Sequence, residues 1–236
     1  MKKEDHFSRY SRQIFIEEIG LEGQKKIRSS KVLVIGAGGL GSPVIQYLTA
    51  AGIGTLGVID FDHVEIHNLN RQIIHTENRV GLSKVKSAEI FVEELNHQVK
   101  LTGIEERLNE NNAEEIISHY DVIVDGSDNF STRYLVNDTC VKLNKTLVYG
   151  SILGFSGQVA VFNRNGSKNL RDLFPEPPFD EDVPDCDSLG VLGALPGIIG
   201  SMMALQALKI ITDLPVIVNQ LTLADTLNWR FQTIDF

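Results

Sequence analysis

The chain has 236 residues, of which 42% are hydrophobic and 22% are charged, so it is long and apolar enough to bury a sizeable core. This composition excludes collagen, a coiled coil and an intrinsically disordered chain, each of which needs a more biased amino-acid usage. The 22 basic and 31 acidic side chains give a net charge of −9, which disfavours nonspecific binding to nucleic acid or to an anionic membrane. Two cysteines are too few for a disulfide framework and fit a reducing, cytoplasmic environment.

Two segments bear on membrane targeting. Residues 1–13 lack the apolar run of a signal peptide. Residues 188–208 carry no charge and are long enough to span a bilayer, but glycines and Pro196 interrupt them. We therefore predict a buried helix entered through a loop, in a soluble protein that has no membrane partner.

Apolar periodicity predicts alternating helices and strands along most of the chain. Residues 1–30 form a polar, helical lead-in, and a nucleotide-binding core follows over residues 31–163. The core begins with a continuous apolar run that is typical of a strand buried on both faces. Strands are predicted at 31–36, 54–60, 99–104, 121–125 and 146–150, and helices at 40–51, 83–96, 113–118 and 131–143. This alternation predicts a doubly wound, Rossmann-like α/β fold, in which a mostly parallel sheet carries helices on both faces.

The pattern changes towards the C-terminus. Residues 158–163 alternate apolar and polar side chains, which predicts an antiparallel strand. The proline-rich residues 164–188 are predicted to form a crossover-type surface loop. Residues 189–236 then supply a helix, with Pro196 as its first residue, and further strands in an antiparallel extension. We count one domain over residues 1–236.

A glycine-rich turn between the first strand and the next helix indicates a nucleotide site. Gly36, Gly38 and Gly41 form the pattern G-x-G-x-x-G, which lets the backbone approach a phosphate at the helix N-terminus. Asp60 ends the following strand, at the position where a carboxylate accepts hydrogen bonds from a ribose. NAD or FAD is the default ligand of this fingerprint, and glycines needed only for packing are the alternative.

Polar residues after Asp60 suit a triphosphate as well as a dinucleotide. Asn68 and Arg71 lie just beyond the predicted ribose site, and Lys84 begins the next helix. Such basic residues suit a triphosphate whose bridging oxygens gain charge during cleavage. On the residues alone, Arg71 can equally contact the 2′-phosphate of NADP or pair at the surface with Asp62 or Glu65.

Asp128 and Asn129 follow the fourth strand, at the sheet edge where the carboxyl ends of parallel strands meet. Asp128 is placed to hold a magnesium ion between phosphate oxygens, since magnesium prefers one or two carboxylates together with phosphate and water. The alternative is that Asp128 caps the next helix, although Ser127 and Asn129 are equally good caps.

Seven ordered motifs together resemble the ThiF/MoeB/HesA adenylyltransferases, which are bacterial relatives of ubiquitin-activating enzymes. The resemblance covers nearly the whole chain and is far more specific than one glycine loop. The motifs are RYSRQ at 9–13, GAGGLGS at 36–42, DFD at 60–62, NLNRQ at 68–72, GLSK at 81–84, DGSDN at 125–129 and GVLGALPGIIG at 190–200.

The resemblance implies an enzyme that uses ATP and Mg²⁺ to activate a small ubiquitin-fold sulfur-carrier protein, for thiamine or molybdopterin synthesis. The C-terminal Gly-Gly carboxylate of the carrier attacks the α-phosphate, which gives an acyl adenylate and pyrophosphate. Family members are usually homodimers, which implies that Arg12 reaches the ATP of the partner subunit.

The resemblance also assigns residues to the nucleotide. Gly39 and Asp60 would hold it, and Asp128 would hold the magnesium ion. The phosphate contacts would come from Asn68, Arg71 and Lys84. The other residues expected at the nucleotide are Gly36, Gly38, Gly41, Asp62, Gln72 and Asn129.

The sequence departs from the family pattern at its cysteines. Members commonly bind one structural zinc ion through two C-x-x-C pairs, but Asn169 to Asp172 stands where the first pair is expected and no second pair follows. Two cysteines cannot make a tetrahedral thiolate site, so no zinc is predicted. Cys186 lies where some members carry a cysteine that takes up sulfur or the acyl group, whereas Cys140 is predicted in the core.

Three other functions stay open at the level of sequence. The first is an NAD(P)-dependent oxidoreductase that uses the same glycine loop. The second is a non-catalytic relative that only binds a partner protein. The third is a relative that acts on a small molecule or on tRNA, and the net charge of −9 disfavours tRNA.

Overall fold

The computed structural model describes residues 6–178 and 190–236. These residues form eight strands: β1 (Lys31–Ile35), β2 (Thr55–Ile59), β3 (Lys100–Ile104), β4 (Val122–Asp125), β5 (Thr146–Leu153), β6 (Ser156–Phe162), β7 (Gln220–Asp225) and β8 (Arg230–Asp235). All eight hydrogen-bond into one sheet in the order β3-β2-β1-β4-β5-β6-β7-β8. The five strands from β3 to β5 are parallel, and β6, β7 and β8 continue the sheet in antiparallel fashion. The predicted fold class is confirmed.

Helices cover both faces of this sheet. They are α1 (His6–Ile14), α2 (Gly20–Ser29), α3 (Gly41–Ala51), α4 (Lys84–Asn96), α5 (Ala113–Ser118), α6 (Phe130–Lys142), α7 (Leu170–Leu173) and α8 (Ala194–Ile211). Alternate residues of β1 point into two apolar clusters, since Val32 and Val34 join one and Leu33 and Ile35 join the other. The first cluster lies under α2, α3, α4 and α8, and the second under α5, α6 and α7. Burial on both faces explains the continuous apolar runs of the parallel strands.

Three features differ from the sequence prediction. The lead-in is divided into two helices, α1 and α2, by the turn at residues 15–19. Pro196 is the third residue of α8 rather than its first, which costs no hydrogen bond because first-turn N–H groups have no acceptor within the helix. The predicted loop of residues 164–188 contains the short helix α7, and residues 179–189 lie outside the described part of the chain.

Helix α8 corresponds to the uncharged segment that is long enough for a membrane span. Among the described residues, α8 is the one helix that is long and apolar enough to cross a membrane. Half of its residues are buried inside the fold. It packs against α3, β5 and β6. A Cβ at Gly157 of β6 would lie 2.4 Å from the Ile199 side chain, so α8 touches the sheet backbone directly. These contacts confirm the predicted packed helix.

Helix α7 is attached to α6 by polar contacts. Asn169 and Asp172 form a reciprocal capping box, in which Asp172 accepts the Asn169 N–H at 2.8 Å. The Arg171 guanidinium donates to both carboxylate oxygens of Asp138 at 2.8 Å, and this lowers the pKa of Asp138. Asn137 accepts the N–H of the buried Leu170 at 2.9 Å. Asn169 and Asp172, which stand where the family resemblance expects cysteines, thus begin and cap a helical turn.

Candidate nucleotide-binding site

The carboxyl ends of β1, β2 and β4 open into a cavity of about 340 Å³. It lies at the switch point of the sheet, where the chain turns from β1 towards β2 on one side and β4 lies on the other. Ten residues that the sequence analysis selected line this cavity: Gly36, Gly38, Gly39, Asp60, Asp62, Arg71, Gln72, Lys84, Asp128 and Asn129.

The glycines of the loop after β1 serve two different purposes. Gly36 has a φ of +86°, a left-handed conformation that glycine adopts without strain. A Cβ at Gly41 would lie 1.8 Å from the Gly36 carbonyl oxygen, so Gly41 is needed because α3 starts against the end of β1. Around Gly38, in contrast, the nearest atom to an added Cβ is 3.8 Å away. Gly38 therefore leaves open space at the cavity, whereas Gly41 does not line it and serves close packing.

Asp60 connects the glycine loop to the segment after β2. Its Oδ2 accepts the Ala37 N–H at 2.7 Å, and its Oδ1 accepts the Asp62 N–H at 2.8 Å. Burial raises the pKa of Asp60, and the nearby Lys84 ammonium opposes that shift. Each carboxylate oxygen can accept a second hydrogen bond, so Asp60 retains the capacity to bind a ribose hydroxyl.

Lys84 and Arg71 bring positive charge to the cavity from two elements. Lys84 begins α4, where Ser83 caps the helix, and its ammonium group lies 2.9 Å from an Asp62 oxygen. The Lys84 side chain is buried, so this charge is poorly screened by solvent. Arg71 donates to the His67 carbonyl at 3.0 Å. Both residues line the cavity together with the glycine loop.

The turn after β4 assigns different roles to two neighbouring polar residues. The Asn129 Oδ1 accepts the Thr132 N–H at 2.9 Å, which makes Asn129 the N-cap of α6. Asp128 is therefore not the cap of α6, and its carboxylate is exposed at the cavity. A single exposed carboxylate fits Mg²⁺, which takes most of its ligands from water and phosphate. The described residues hold no group of three or more His, Cys, Asp or Glu side chains arranged for a metal ion.

Two buried charges behind this turn were missed by sequence reasoning. Asp125 is fully buried and accepts the Ser127 N–H at 3.0 Å, while Arg133 donates to the Ser127 carbonyl at 2.9 Å. Burial raises the pKa of Asp125, and the Arg133 guanidinium opposes the shift. Asp125 and Arg133 together hold the N–H and the carbonyl oxygen of Ser127, the residue before Asp128. No local pattern marks Arg133, since its role depends on how α6 packs beside the ends of β4 and β5.

Arg107 is a second cation of the cavity that the motifs do not reveal. Its guanidinium lies 4.0 Å from the centre of the Phe61 ring, and both residues line the cavity. A cation over an aromatic face gains electrostatic stabilisation from the ring. The pair therefore adds a guanidinium group to the cavity lining.

Four of the selected residues lie elsewhere. Gly41 packs against Gly36, as described above. The buried Asn68 accepts the Glu65 N–H at 2.9 Å and caps the short turn Ile66–Asn68. Arg12 is exposed on α1 and makes no hydrogen bond or ion pair with the described residues. Cys186 lies outside the described residues.

Cys140 lies on α6 and is fully buried, as predicted. Burial raises the pKa of its thiol, so the thiol stays protonated and takes part in the core as a small apolar side chain.

Comparisons with known proteins agree on one family. The ThiF family model matches residues 10–236 of this chain. "Adenylyltransferase and sulfurtransferase MOCS3" of Aedes aegypti is 50% identical over 207 residues, which are 88% of this chain and 47% of that protein. The Zea mays protein MOCS3-1, which carries the same description, is 46% identical over 231 residues, or 98% of this chain and 49% of its own length. The chain spans about half the length of the curated relatives it matches.

A solved structure shows the same fold at lower identity. Escherichia coli MccB with ATP aligns with a TM-score of 0.84 and 20% sequence identity, over 96% of this chain and 71% of that chain. At this identity, the likeness establishes the common Rossmann-like architecture.

Proposed function

Since the chain belongs to the ThiF family, we propose that it is an ATP-dependent adenylyltransferase. Its substrate is the C-terminal Gly-Gly carboxylate of a small ubiquitin-fold sulfur-carrier protein, in thiamine or molybdopterin synthesis. The carboxylate attacks the α-phosphate of ATP, which forms an acyl–phosphate bond and releases pyrophosphate. The relatives described as adenylyltransferases and sulfurtransferases support this reaction class and a sulfur-carrier substrate.

The observation that carries the proposal is the charge arrangement of the cavity. The buried Lys84, Arg71 and the exposed Asp128 line the same cavity as the open glycine loop. A carboxylate nucleophile and a triphosphate repel each other, so their approach requires fixed positive charge. A hydride-transfer enzyme has no such requirement. The nucleophile already carries its charge, so the reaction needs no general base.

Asp60 and Asp128 would hold opposite ends of the nucleotide. Asp60, with a vacant acceptor site on each oxygen, would bind the ribose hydroxyls. Asp128 would hold Mg²⁺, which supplies positive charge that neutralises the phosphate oxygens. The Asp125–Arg133 pair fixes the turn in which Asp128 stands, so its carboxylate is positioned before the nucleotide binds.

The proposed enzyme is a homodimer in the cytoplasm, where ATP is available. Arg12 lies on α1, away from the cavity of its own chain, and would act on the nucleotide of the partner subunit. Exposed apolar residues next to it, Ile16 and Leu21 among them, supply surface that a second subunit would cover. A role for Cys186 in acyl or sulfur transfer stays a prediction.

The test is ATP–pyrophosphate exchange with Mg²⁺ and each small Gly-Gly-ending ubiquitin-fold protein of the source organism. We expect exchange with one particular partner, and a decrease of roughly 100- to 1,000-fold in D128N, since one electrostatic contact to the reacting phosphates is removed. The melting temperature should stay unchanged because Asp128 is exposed. The matched control is D235N, which changes an exposed carboxylate on β8.

Mixtures of R12A and D128A subunits test the dimer in the same assay. If Arg12 acts across the interface, the mixed dimer contains one intact site and recovers exchange that neither variant has alone. Absence of recovery would remove the assignment of Arg12.

Two results would overturn the proposal. Absence of exchange with every partner, while ATP binds, would indicate a binding protein or an enzyme for a small molecule. Binding of NAD without binding of ATP would favour the oxidoreductase.

A further inference from the structure

His75 is buried directly behind the glycine loop, although it belongs to none of the sequence motifs. Its Nε2 lies 2.9 Å from the Ala37 carbonyl oxygen, and its Nδ1 lies 2.8 Å from the Ser87 hydroxyl oxygen. A carbonyl can only accept a hydrogen bond, so Nε2 carries the proton and donates it to Ala37. Nδ1 is then the acceptor for the Ser87 hydroxyl, which fixes this tautomer.

The ring is neutral at physiological pH. Burial lowers the pKa of His75 to about 4, and the neighbouring Lys84 and Arg79 charges act in the same direction. A neutral ring with one N–H and one acceptor nitrogen matches its two partners, so both ring nitrogens are satisfied.

The hydrogen bond from His75 has a consequence for the next residue. In a trans peptide the C=O of one residue and the N–H of the following residue point in opposite directions. With the Ala37 C=O turned towards His75, the Gly38 N–H is turned away from it, and Gly38 lines the cavity. The Gly38 N–H has no acceptor within residues 6–178 and 190–236.

The rest of the loop is fixed in the same manner. Asp60 accepts the Ala37 N–H, so both backbone polar atoms of Ala37 are held by side chains. The Ser42 N–H donates to the Gly38 carbonyl at 2.9 Å, which fixes the peptide group after Gly38. Three independent hydrogen bonds thus determine the orientation of the loop before any ligand arrives.

We propose that His75 is a positioning residue that presents the Gly38 N–H to a phosphate group of the bound nucleotide, with Ser87 holding the imidazole in the required tautomer. The inference rests on the proposed function only in requiring a nucleotide with phosphates. A backbone N–H that is already oriented pays no reorganisation cost when an anion binds, and a charged acceptor makes the hydrogen bond stronger.

The experiment compares ATP with adenosine by calorimetry, in the whole chain and with Mg²⁺ present. H75L removes the donor to Ala37, whereas the Nε2 of glutamine in H75Q replaces it. We expect H75L to bind ATP roughly tenfold to a hundredfold more weakly, since one hydrogen bond to a charged group is lost. Adenosine binding should be unchanged, and H75Q should restore most of the ATP affinity. The matched control is H67Q, which changes an exposed histidine.

A purely structural role of His75 would give a different pattern. In that case H75L would weaken the binding of ATP and of adenosine by the same factor, or it would lower the melting temperature without a change in either affinity. Either result would overturn the proposal, as would ATP affinity in H75L equal to that of the unaltered protein.

A second measurement needs no variant and covers the case in which H75L does not fold. Nitrogen-15 NMR of the unaltered protein should show His75 as the Nε2–H tautomer, and the Gly38 amide proton should shift downfield when ATP is added. The Nδ1–H tautomer, or a Gly38 signal that ATP does not move, would contradict the proposal. If the chain binds NAD instead of ATP, the adenylyltransferase function fails, and His75 is tested by comparing NAD with adenosine.

Discussion

The carboxyl ends of the central parallel strands and the terminal hairpin β7–β8 belong to one sheet but differ in burial and in chemistry. Every residue of β4 is buried, and the turn that follows it contributes Asp128 to the cavity. All six residues of β8 are exposed, and the described lining of the cavity includes no residue of the hairpin. Helix α8 packs on β4, β5 and β6, so burial ends where the covering helices end. Coverage by helices, rather than membership of the sheet, therefore determines which strand ends can hold a buried polar site.

The largest difference should appear in core truncations at matched isoleucines. Ile123 on β4 is fully buried, whereas Ile234 on β8 is 45% exposed. We expect I123A to lower the free energy of unfolding by about 2–5 kcal/mol, because it leaves a cavity in the apolar cluster between the sheet and the helices α5, α6 and α7. I234A should cost about 0.5 kcal/mol. Urea unfolding measures both, and equal losses would show that the hairpin is as much a part of the core as β4.

The two regions should also differ in their response to acid. The central strand ends bury His75, whose folded pKa of about 4 lies below the value of 6.5 that the unfolded chain has. As the pH falls from 6.5 to 4, His75 becomes protonated in the unfolded state but stays neutral in the folded state. The free energy of unfolding therefore decreases, by about 3 kcal/mol in total.

The H75Q variant should not show this decrease in stability at low pH, because it lacks the buried histidine. The H67Q variant, which changes an exposed histidine, should show the same decrease as the unaltered protein. Asp60 and Asp125 have raised pKa values and act in the opposite sense, because their protonation at low pH favours the folded state. Asp60 and Asp125 are present in every variant, so their contributions to the pH dependence cancel when the variants are compared. Unfolding free energies at pH 7, 6 and 5 give the slopes, and parallel slopes for H75Q and the unaltered protein would contradict the assignment.

The smallest effect distinguishes two glycines in the first turns of helices, Gly41 packed against backbone and Gly197 with open space around it. G41A places a Cβ 1.8 Å from the Gly36 carbonyl oxygen and should cost roughly 1–3 kcal/mol, with weaker ATP binding as the loop shifts. G197A in the first turn of α8 meets no atom within 4 Å and should stabilise the chain by about 0.5–1 kcal/mol, since alanine is the better helix former. Thermal unfolding and calorimetry with ATP measure both. A loss of ATP affinity in G197A would show that the two helix starts are coupled.

The sequence predicted most of the central part of the fold and little of the hairpin. Apolar runs located β1 and β4 to within one residue, because burial on both faces leaves an unbroken pattern. The bounds of β7 and β8 were not predicted, since the partly buried β7 and the exposed β8 carry no continuous apolar run. Helix α7 was missed because a single turn is too short for apolar periodicity and is determined by its capping box.

The same distinction applies to the candidate site. Asp60 and Asp128 were found because Asp60 directly follows β2 and Asp128 lies in the turn after β4, so their position in the chain places them at the carboxyl ends of these strands. His75 and Arg133 were missed because tertiary packing, rather than a place directly after a strand, determines their contacts. The hydrogen bond between His75 and Ala37 joins residues 38 positions apart, and no local spacing encodes it. Asn68 has the expected sequence context, but its side chain caps a turn outside the cavity lining.

The pair between Arg171 and Asp138 makes the attachment of α7 sensitive to ionic strength. Both side chains are about half exposed, and their 2.8 Å contact becomes comparable to the Debye length only near 1 M salt, where that length is about 3 Å, so salt at that concentration screens their attraction. The buried Leu170 and the amide hydrogen bonds of Asn137 depend little on salt. High salt should therefore loosen the exposed end of the turn and leave its buried end in place.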